Sequence, residues 1–244
     1  MRRFSVLFLA IGIACGACAT KSTSSSSASD STTVSTSSNA SAVATGNVHF
    51  RADVWADNWF ALYVNGEKIG EDPVPITTER SFNSESISFT AEYPLTIALV
   101  AKDYIENDSG LEYIGTDRQQ IGDGGVIAQI FDLDNDKVVA VTDSSWKSFV
   151  TQTAPLNPEC VTSSNPIVEC SLREVGAPDG WQVPTFDDST WSTATVFGAA
   201  EVGPKEGYND IAWDSSAQFV WGPDLKADNV VLLRLDGVSA SPKL

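Results

Sequence analysis

The chain is short of the residues that most often carry chemistry. Among its 244 residues there is one His, His49, one Met and four Cys. A single His excludes multi-His metal sites and argues against a His-based catalytic triad. Positive charge is scarce as well: 15 Lys and Arg stand against 32 Asp and Glu, for a formal net charge of −17. So acidic a body repels phosphate backbones and anionic headgroups, which argues against nucleic acid as a partner and against electrostatic docking on a membrane. No G-x-x-x-x-G-K-[ST], G-x-G-x-x-G or G-x-S-x-G occurs, so the phosphate-cradling loops and the nucleophile elbow are missing. Long apolar runs are lacking too. The run Phe4–Ile13 is about half the ~20 residues that a spanning helix needs.

What is there begins with an address. Arg2 and Arg3 precede Phe4–Ile13, the charged and apolar regions of an export leader. Gly12, Ala14, Cys15, Gly16, Ala17 and Cys18 crowd its end. Ile11-Gly12-Ile13-Ala14-Cys15 resembles a bacterial lipobox, whose Cys receives a diacylglyceryl group and becomes the first residue. Cys18 is the alternative acceptor, and an ordinary signal peptide is the other reading. Residues 1–18 are therefore expected to be leader and lipobox, and 19–45 a tether. Between Ser22 and Thr45, 16 of 24 residues are Ser or Thr, and Asp30 is the one charge. Such a segment buries too little apolar surface to offset the entropy of ordering it. As a flexible coil it reaches roughly 30 Å. The expected location is the cell envelope, as a surface lipoprotein whose membrane contact is the N-terminal lipid alone, with free secretion as the alternative.

From residue 46 to 244 the pattern turns to short alternating runs separated by turn residues. Val48–Trp55, Phe60–Val64, Glu67–Gly70, Ser86–Thr90, Leu95–Lys102, Val126–Phe131, Val138–Val141, Thr195–Phe197 and Val230–Leu235 read as strands. Asn65-Gly66 lies between two of them, a strong hairpin signal because both turn residues take positive φ. Asp132–Asp136 closes a second hairpin; its carboxylates begin like an EF-hand loop, but Lys137 follows and the late Glu is missing. No helical periodicity exceeds about two turns. The fold class expected is all-β, an antiparallel sandwich. Cys160 and Cys170 sit ten positions apart in a Pro/Asn/Ser-rich loop, and in an exported chain they are expected to form a disulfide.

Four stretches carry a resemblance. They are Ala56-Asp57-Asn58-Trp59-Phe60-Ala61-Leu62-Tyr63-Val64-Asn65-Gly66, Leu95–Asp103, Thr142-Asp143-Ser144-Ser145-Trp146-Lys147, and Gly180-Trp181 through Phe186-Asp187-Asp188-Ser189-Thr190-Trp191. Together they look like the galactose-binding-like jelly-roll module that accompanies glycoside hydrolases of the α-L-rhamnosidase type. The resemblance implies a carbohydrate-binding or spacer module, sometimes with a structural Ca²⁺, and does not transfer an activity. Asp57-Asn58 is read as a turn, and Trp59, Tyr63, Trp146, Trp181 and Trp191 as filling between the sheets.

The segment from Lys102 to Gly125 is long for a loop inside a compact domain. It retains Ile105, Leu111, Ile114 and Ile121 as anchors and is rich in hydrogen-bonding side chains. Asp103, Tyr104, Glu112, Tyr113, Asp117, Arg118, Gln119, Gln120 and Asp123 are the candidate ligand-binding residues, because sugar hydroxyls favour planar acceptors and donors beside an aromatic face. Arg118 is expected to be pinned by Asp117 or Asp123. No motif demands a cofactor; Asp117 and Asp123 are the candidate ligands of a Ca²⁺ ion, favoured over zinc because every ligand is oxygen. Spacing selects no catalytic pair among so many carboxylates, and the chain is read as non-catalytic. The expected function is a surface-tethered module for a carbohydrate or glycan; the alternative is a structural or protein-interaction domain with an envelope or extracellular partner.

Overall fold

A computed structural model describes residues 47–240. The expected leader (1–18) and tether (19–45), with both candidate lipidation cysteines, Cys15 and Cys18, lie outside the described residues. Fifteen strands make two antiparallel sheets packed face to face, with a two-stranded ribbon beside them. The first strands are β1 (Val48–Asp57), β2 (Trp59–Val64), β3 (Glu67–Glu71), β4 (Asn83–Ala91) and β5 (Leu95–Lys102). Then come the ribbon strands β6 (Leu111–Glu112) and β7 (Gln120–Ile121), followed by β8 (Gly125–Asp132), β9 (Lys137–Val141) and β10 (Lys147–Thr153). Short β11 (Arg173–Glu174), β12 (Ser192–Thr193), β13 (Thr195–Phe197) and β14 (Phe219–Trp221) precede the long β15 (Asp228–Val238). One sheet runs β13-β14-β8-β1-β4, with β9 sharing the β8 edge; the other runs β11-β10-β15-β5-β2-β3, with β12 on β10.

Alternation fixes which side chains meet between the sheets. Phe50, Val54 and Ala56 of β1, Leu62 and Val64 of β2, Ile97 and Leu99 of β5, and Val231 and Leu233 of β15 point into one core with Trp146. The Asn65-Gly66 hairpin is present, with Asn65 at φ 52° and Gly66 at φ 89°. The second hairpin turn is built around Asp132, whose Oδ1 accepts from the backbone N–H of Asp134 and Asn135.

The tryptophans correct one expectation. Trp146 lies between the sheets, but Trp181 and Trp191 pack with Ala98, Leu232, Tyr63, Phe149 and Phe186 in a separate cluster. On β5, Ala98 alternates with Ile97 and Leu99, so this cluster lies on the far side of its sheet. The segment 176–194 is laid over that side and pinned by Arg234, which is fully buried. Arg234 faces Asp188 at 3.3 Å and donates to the carbonyl of Val183 at 3.1 Å. On the other sheet Trp55, Phe82, Ile127, Val202 and Phe219 form a third cluster with Tyr208 and Trp213. Residues 199–217 cover it, through the short helix Ala199–Val202 and Trp55 Nε1 donating to the Glu206 carbonyl at 2.9 Å. Each sheet thus buries aromatic surface on both sides.

Candidate functional site

Strand register brings the candidate residues to one end of the sandwich. Asp57 pairs with Gly125 where β1 ends and β8 begins. Lys102, the last residue of β5, pairs with both Trp59 and Val230. The side chains immediately beyond these pairs are Asp103, Asn58 and Asn229. The Asp103 N–H donates to the Asn229 carbonyl at 2.9 Å, and the Tyr104 N–H to Asn58 Oδ1 at 2.6 Å. Asp57-Asn58 is therefore no surface turn. It is the buried crossing from one sheet to the other, with Asp57 1% and Asn58 0% exposed.

The long loop folds over this end. Its ribbon, β6 and β7, buries Leu111 and Glu112, while Ile105, Ile114 and Ile121 are only half-buried. Glu112 Oε2 accepts from Gln120 Nε2 at 2.9 Å. Gly122 crosses so close above Asp103 that a Cβ there would collide with its carboxylate, and a Cβ on Gly110 would strike the Ala154 carbonyl. Only glycine permits such approaches. Asp123 then faces Lys205, whose Nζ stands 3.9 Å from Asp123 and 3.3 Å from Asp57.

Three buried carboxylates, Asp57, Asp103 and Glu112, lie near the half-buried Asp123, with the Lys205 amine at the rim, and burial and like charge together raise carboxyl pKa values. Burial pushes the Asp57 carboxyl up to about 7, against the pull of Lys205 and with the help of Asp123. Burial likewise raises Glu112 to about 7, with the Gln120 hydrogen bond opposing it. Asp103 lies well above the ordinary carboxylate range, through burial first and then through Glu112, Asp57 and Asp123. Lys205 is disfavoured as a cation by burial, yet Asp57 and Asp123 hold it above its usual value.

The other candidates fall outside this cluster. Asp117 and Arg118 are exposed. The Arg118 guanidinium lies 4.1 Å from the centre of the Tyr113 ring; it makes no ion pair among the described residues, so neither Asp117 nor Asp123 pins it. Tyr113 supports this stack and Tyr104 is half-buried. Gln119 is a fastener: its Nε2 donates to the carbonyls of Val161 (2.7 Å) and Ser163 (2.9 Å), and its Oε1 accepts from the Gly115 N–H at 2.9 Å. These bonds tie the loop to the segment closed by the Cys160–Cys170 disulfide, which is present as expected. Outside the joint is an open groove of about 310 Å³ lined by Gln119, Gln120, Ile121, Gly122, Asp123, Val161 and Lys226.

Among the described residues no group of three or more His, Cys, Asp or Glu side chains is placed to hold a metal ion. Asp117 is exposed and Asp123 half-buried beside Lys205. Asp57, Asn58, Lys205, Lys226 and Asn229 were not among the sequence candidates. Asp57 carried one signal in sequence, its place just past a predicted strand; Lys205 and Lys226 carried none. Compared with protein-family models, with curated proteins and with solved structures, the chain gives no match.

Proposed function

We propose that this protein is a non-catalytic module that binds carbohydrate in the groove along Gln119–Asp123, and that a lipid on Cys15, or alternatively Cys18, tethers it at the cell envelope. The groove itself carries the reading. Its volume of about 310 Å³ is at the small end for ligand sites and suits one or two sugar rings. Ile121 and Val161 supply apolar surface, while Gln120, Asp123 and Lys226 supply an amide, a carboxylate and an ammonium for hydroxyl groups. Gln119 and the disulfide segment fix the wall in advance, which lowers the ordering cost of binding. The antiparallel sandwich and the galactose-binding-like stretches agree with this role. Burial supports the non-catalytic part: Asp57 and Asp103 are closed beneath the glycine-rich crossing, and Asp123 is the one carboxylate lining the groove.

A specific observation favours a second reading, in which the partner is a protein. Leu156, Ile167, Val168, Leu172 and Val175, all around the disulfide, are exposed, Val168 at 73%. Glycan-array binding of the mature full-length chain separates the two. Retention of a defined glycan, weakened at least about tenfold in Asp123→Ala/Lys226→Ala with Tm little changed, is the expected result. Absence of any retained glycan, or full binding by the double variant, would overturn the groove reading in favour of protein docking. Mass spectrometry of the mature N-terminus tests the anchor, and an unmodified terminus beyond Cys18 would remove it.

A further inference from the structure

The loop that walls the groove also closes over charge. Asp103 is buried, and neither of its carboxylate oxygens meets a hydrogen-bond donor. A buried acceptor left bare costs about 1–3 kcal/mol, and an ionised one more, so the closed arrangement fits a neutral Asp103. Like charges lie on the two sides of one joint. Asp57 ends β1 and Asp103 follows β5, while the buried Glu112 belongs to β6 and Asp123 to the glycine-rich crossing above. Asp57, Glu112 and Asp123 all act on Asp103, and Glu79 adds a further negative charge toward Glu112. The cations nearby are engaged or outside: Lys205 with Asp57 and Asp123, Lys102 with its Nζ 5.1 Å from the centre of the Trp59 ring, and Lys226 exposed on the groove. From β15, Asn229 is uncharged and Asp228 accepts from Thr153 and the Asp224 N–H.

The ribbon has glycines at both ends. Gly110 stands at φ 70° before β6, and Gly122, Gly124 and Gly125 follow β7, Gly125 at φ 147°. Between them Leu111 is the buried apolar anchor, while Ile114 and Ile121 are only half-buried. A segment held down by so little apolar surface opens more readily than the core strands. We propose that residues 110–124 form a proton-operated latch: with Asp103 and Glu112 neutral the ribbon seals the end of the sandwich, and their ionisation lifts it and dismantles the groove wall Gln119–Asp123. The sign follows from linkage. Burial raises both carboxyls in the closed form, so that form binds their protons more tightly than the hydrated open form, and rising pH favours opening. Each carboxyl that is neutral when closed and ionised when open shifts the equilibrium about tenfold per pH unit between its two pKa values. As a control on ligand binding the latch rests on the carbohydrate reading of the groove; as a movement of the ribbon it does not.

Hydrogen exchange of the full mature chain, read by mass spectrometry and corrected for the intrinsic exchange rate at each pH, tests the latch with no sugar present. Between pH 5 and pH 7 the protection of amides in 110–124 should fall about a hundredfold or more, since Asp103 alone contributes about tenfold per pH unit. At pH 7 that exchange should be insensitive to low urea, because lifting the ribbon exposes little surface, whereas exchange in β1 and β8 should accelerate with urea. Asp103→Asn keeps the side chain's shape and should take about a hundredfold off the fall. Glu112→Gln leaves Asp103 in place and should take off at least about tenfold. Ribbon protection that is flat from pH 5 to pH 7 overturns the latch whatever the variants do. So does ribbon exchange that matches the core strands in rate and in urea response, which would mean unfolding of the whole domain. A fall in both variants equal to that of the wild type overturns it as well.

Discussion

Asp57 offers the sharpest test of the electrostatics. Its carboxyl stands at about 7 in the folded chain against 3.8 for the free group. Roughly three pH units at about 1.4 kcal/mol each set a ceiling of about 4 kcal/mol. The sign follows from linkage. The folded state binds the Asp57 proton more tightly than the unfolded state, so acid favours folding, and this contribution is lost as pH rises from 3.8 through about 7. Between pH 5 and pH 8 the loss from Asp57 alone is roughly 2.5–3 kcal/mol. Carboxyls held below their ordinary range titrate beneath that window: Asp134 is lowered chiefly by the His49 backbone N–H, Asp187 by Ser189 and Asp214 by Ser216. Glu112, raised to about 7, and Asp103, Asp72 and Asp228, all raised first by burial, act in the same direction, so the share of Asp57 is a lower bound on the loss.

Asp57→Asn removes the titration while keeping the side chain's shape, and Lys205 retains Asp123 as a partner. Thermal and urea unfolding in chelator at pH 5 and pH 8 should show the wild type losing stability as pH rises, with Tm falling by roughly 5–10 °C. The variant should lose about 2 kcal/mol less over the same interval and be the more stable protein at pH 8. A wild-type stability that is flat or rising across that interval, or an equal loss in the variant, would refute the reasoning.

Three further outcomes follow from the packing. Gln119→Ala breaks the bonds to Val161, Ser163 and Gly115 and should cost about 1–2 kcal/mol in urea unfolding; an unchanged midpoint would show that the loop is held by other means. Reducing Cys160–Cys170, ten residues apart, should cost about 2.5–3 kcal/mol by loop closure and speed proteolysis within 156–175, and an unaltered Tm in reductant would contradict this. Arg234→Met leaves Asp188 and the Val183 carbonyl without their buried partner. About 3 kcal/mol should be lost, with a red shift in tryptophan emission as Trp181 and Trp191 undock; emission identical to wild type would mean that the segment 176–194 stays in place without the arginine.

The fold was legible where one local rule decides the outcome. The run Leu95–Lys102 is apolar on both sides because β5 has the inter-sheet core on one face and the Trp181–Trp191 cluster on the other. The Asn65-Gly66 turn and the Asp132 turn are set by residues within a few positions of one another. β10 and β14 escaped notice for the opposite reason. Lys147–Thr153 alternates weakly, since Ser148, Thr151 and Gln152 occupy buried positions and the pairing with β15 shifts register twice. Phe219–Trp221 has three residues, too few for periodicity to register. Trp181 and Trp191 look the same in sequence whether they pack between sheets or behind one. The difference is made by Arg234, more than 40 positions away, which draws their segment onto the outer side.

The candidate site divides along the same line. Length and composition correctly singled out 102–125 as unusual, because a loop this polar with Leu111 at its centre must be folded against something. They could not separate the residues that face outward from those that hold the loop in place. Gln119 and Gln120 are adjacent and alike, yet one spends its amide on two backbone carbonyls and the other on Glu112 and the groove rim. Asp103 and Asp117 are equally acidic in sequence, and their physics is opposite: Asp117 is solvated, while Asp103 is sealed beneath Gly122. What distinguishes them is register, since Lys102 pairs with Val230 and so sets Asp103 against Asn229. A charge placed there must find a partner or a proton, whereas the same charge on the surface needs neither. The functional information therefore resides less in which carboxylates the loop contains than in which of them the strand ends force out of water.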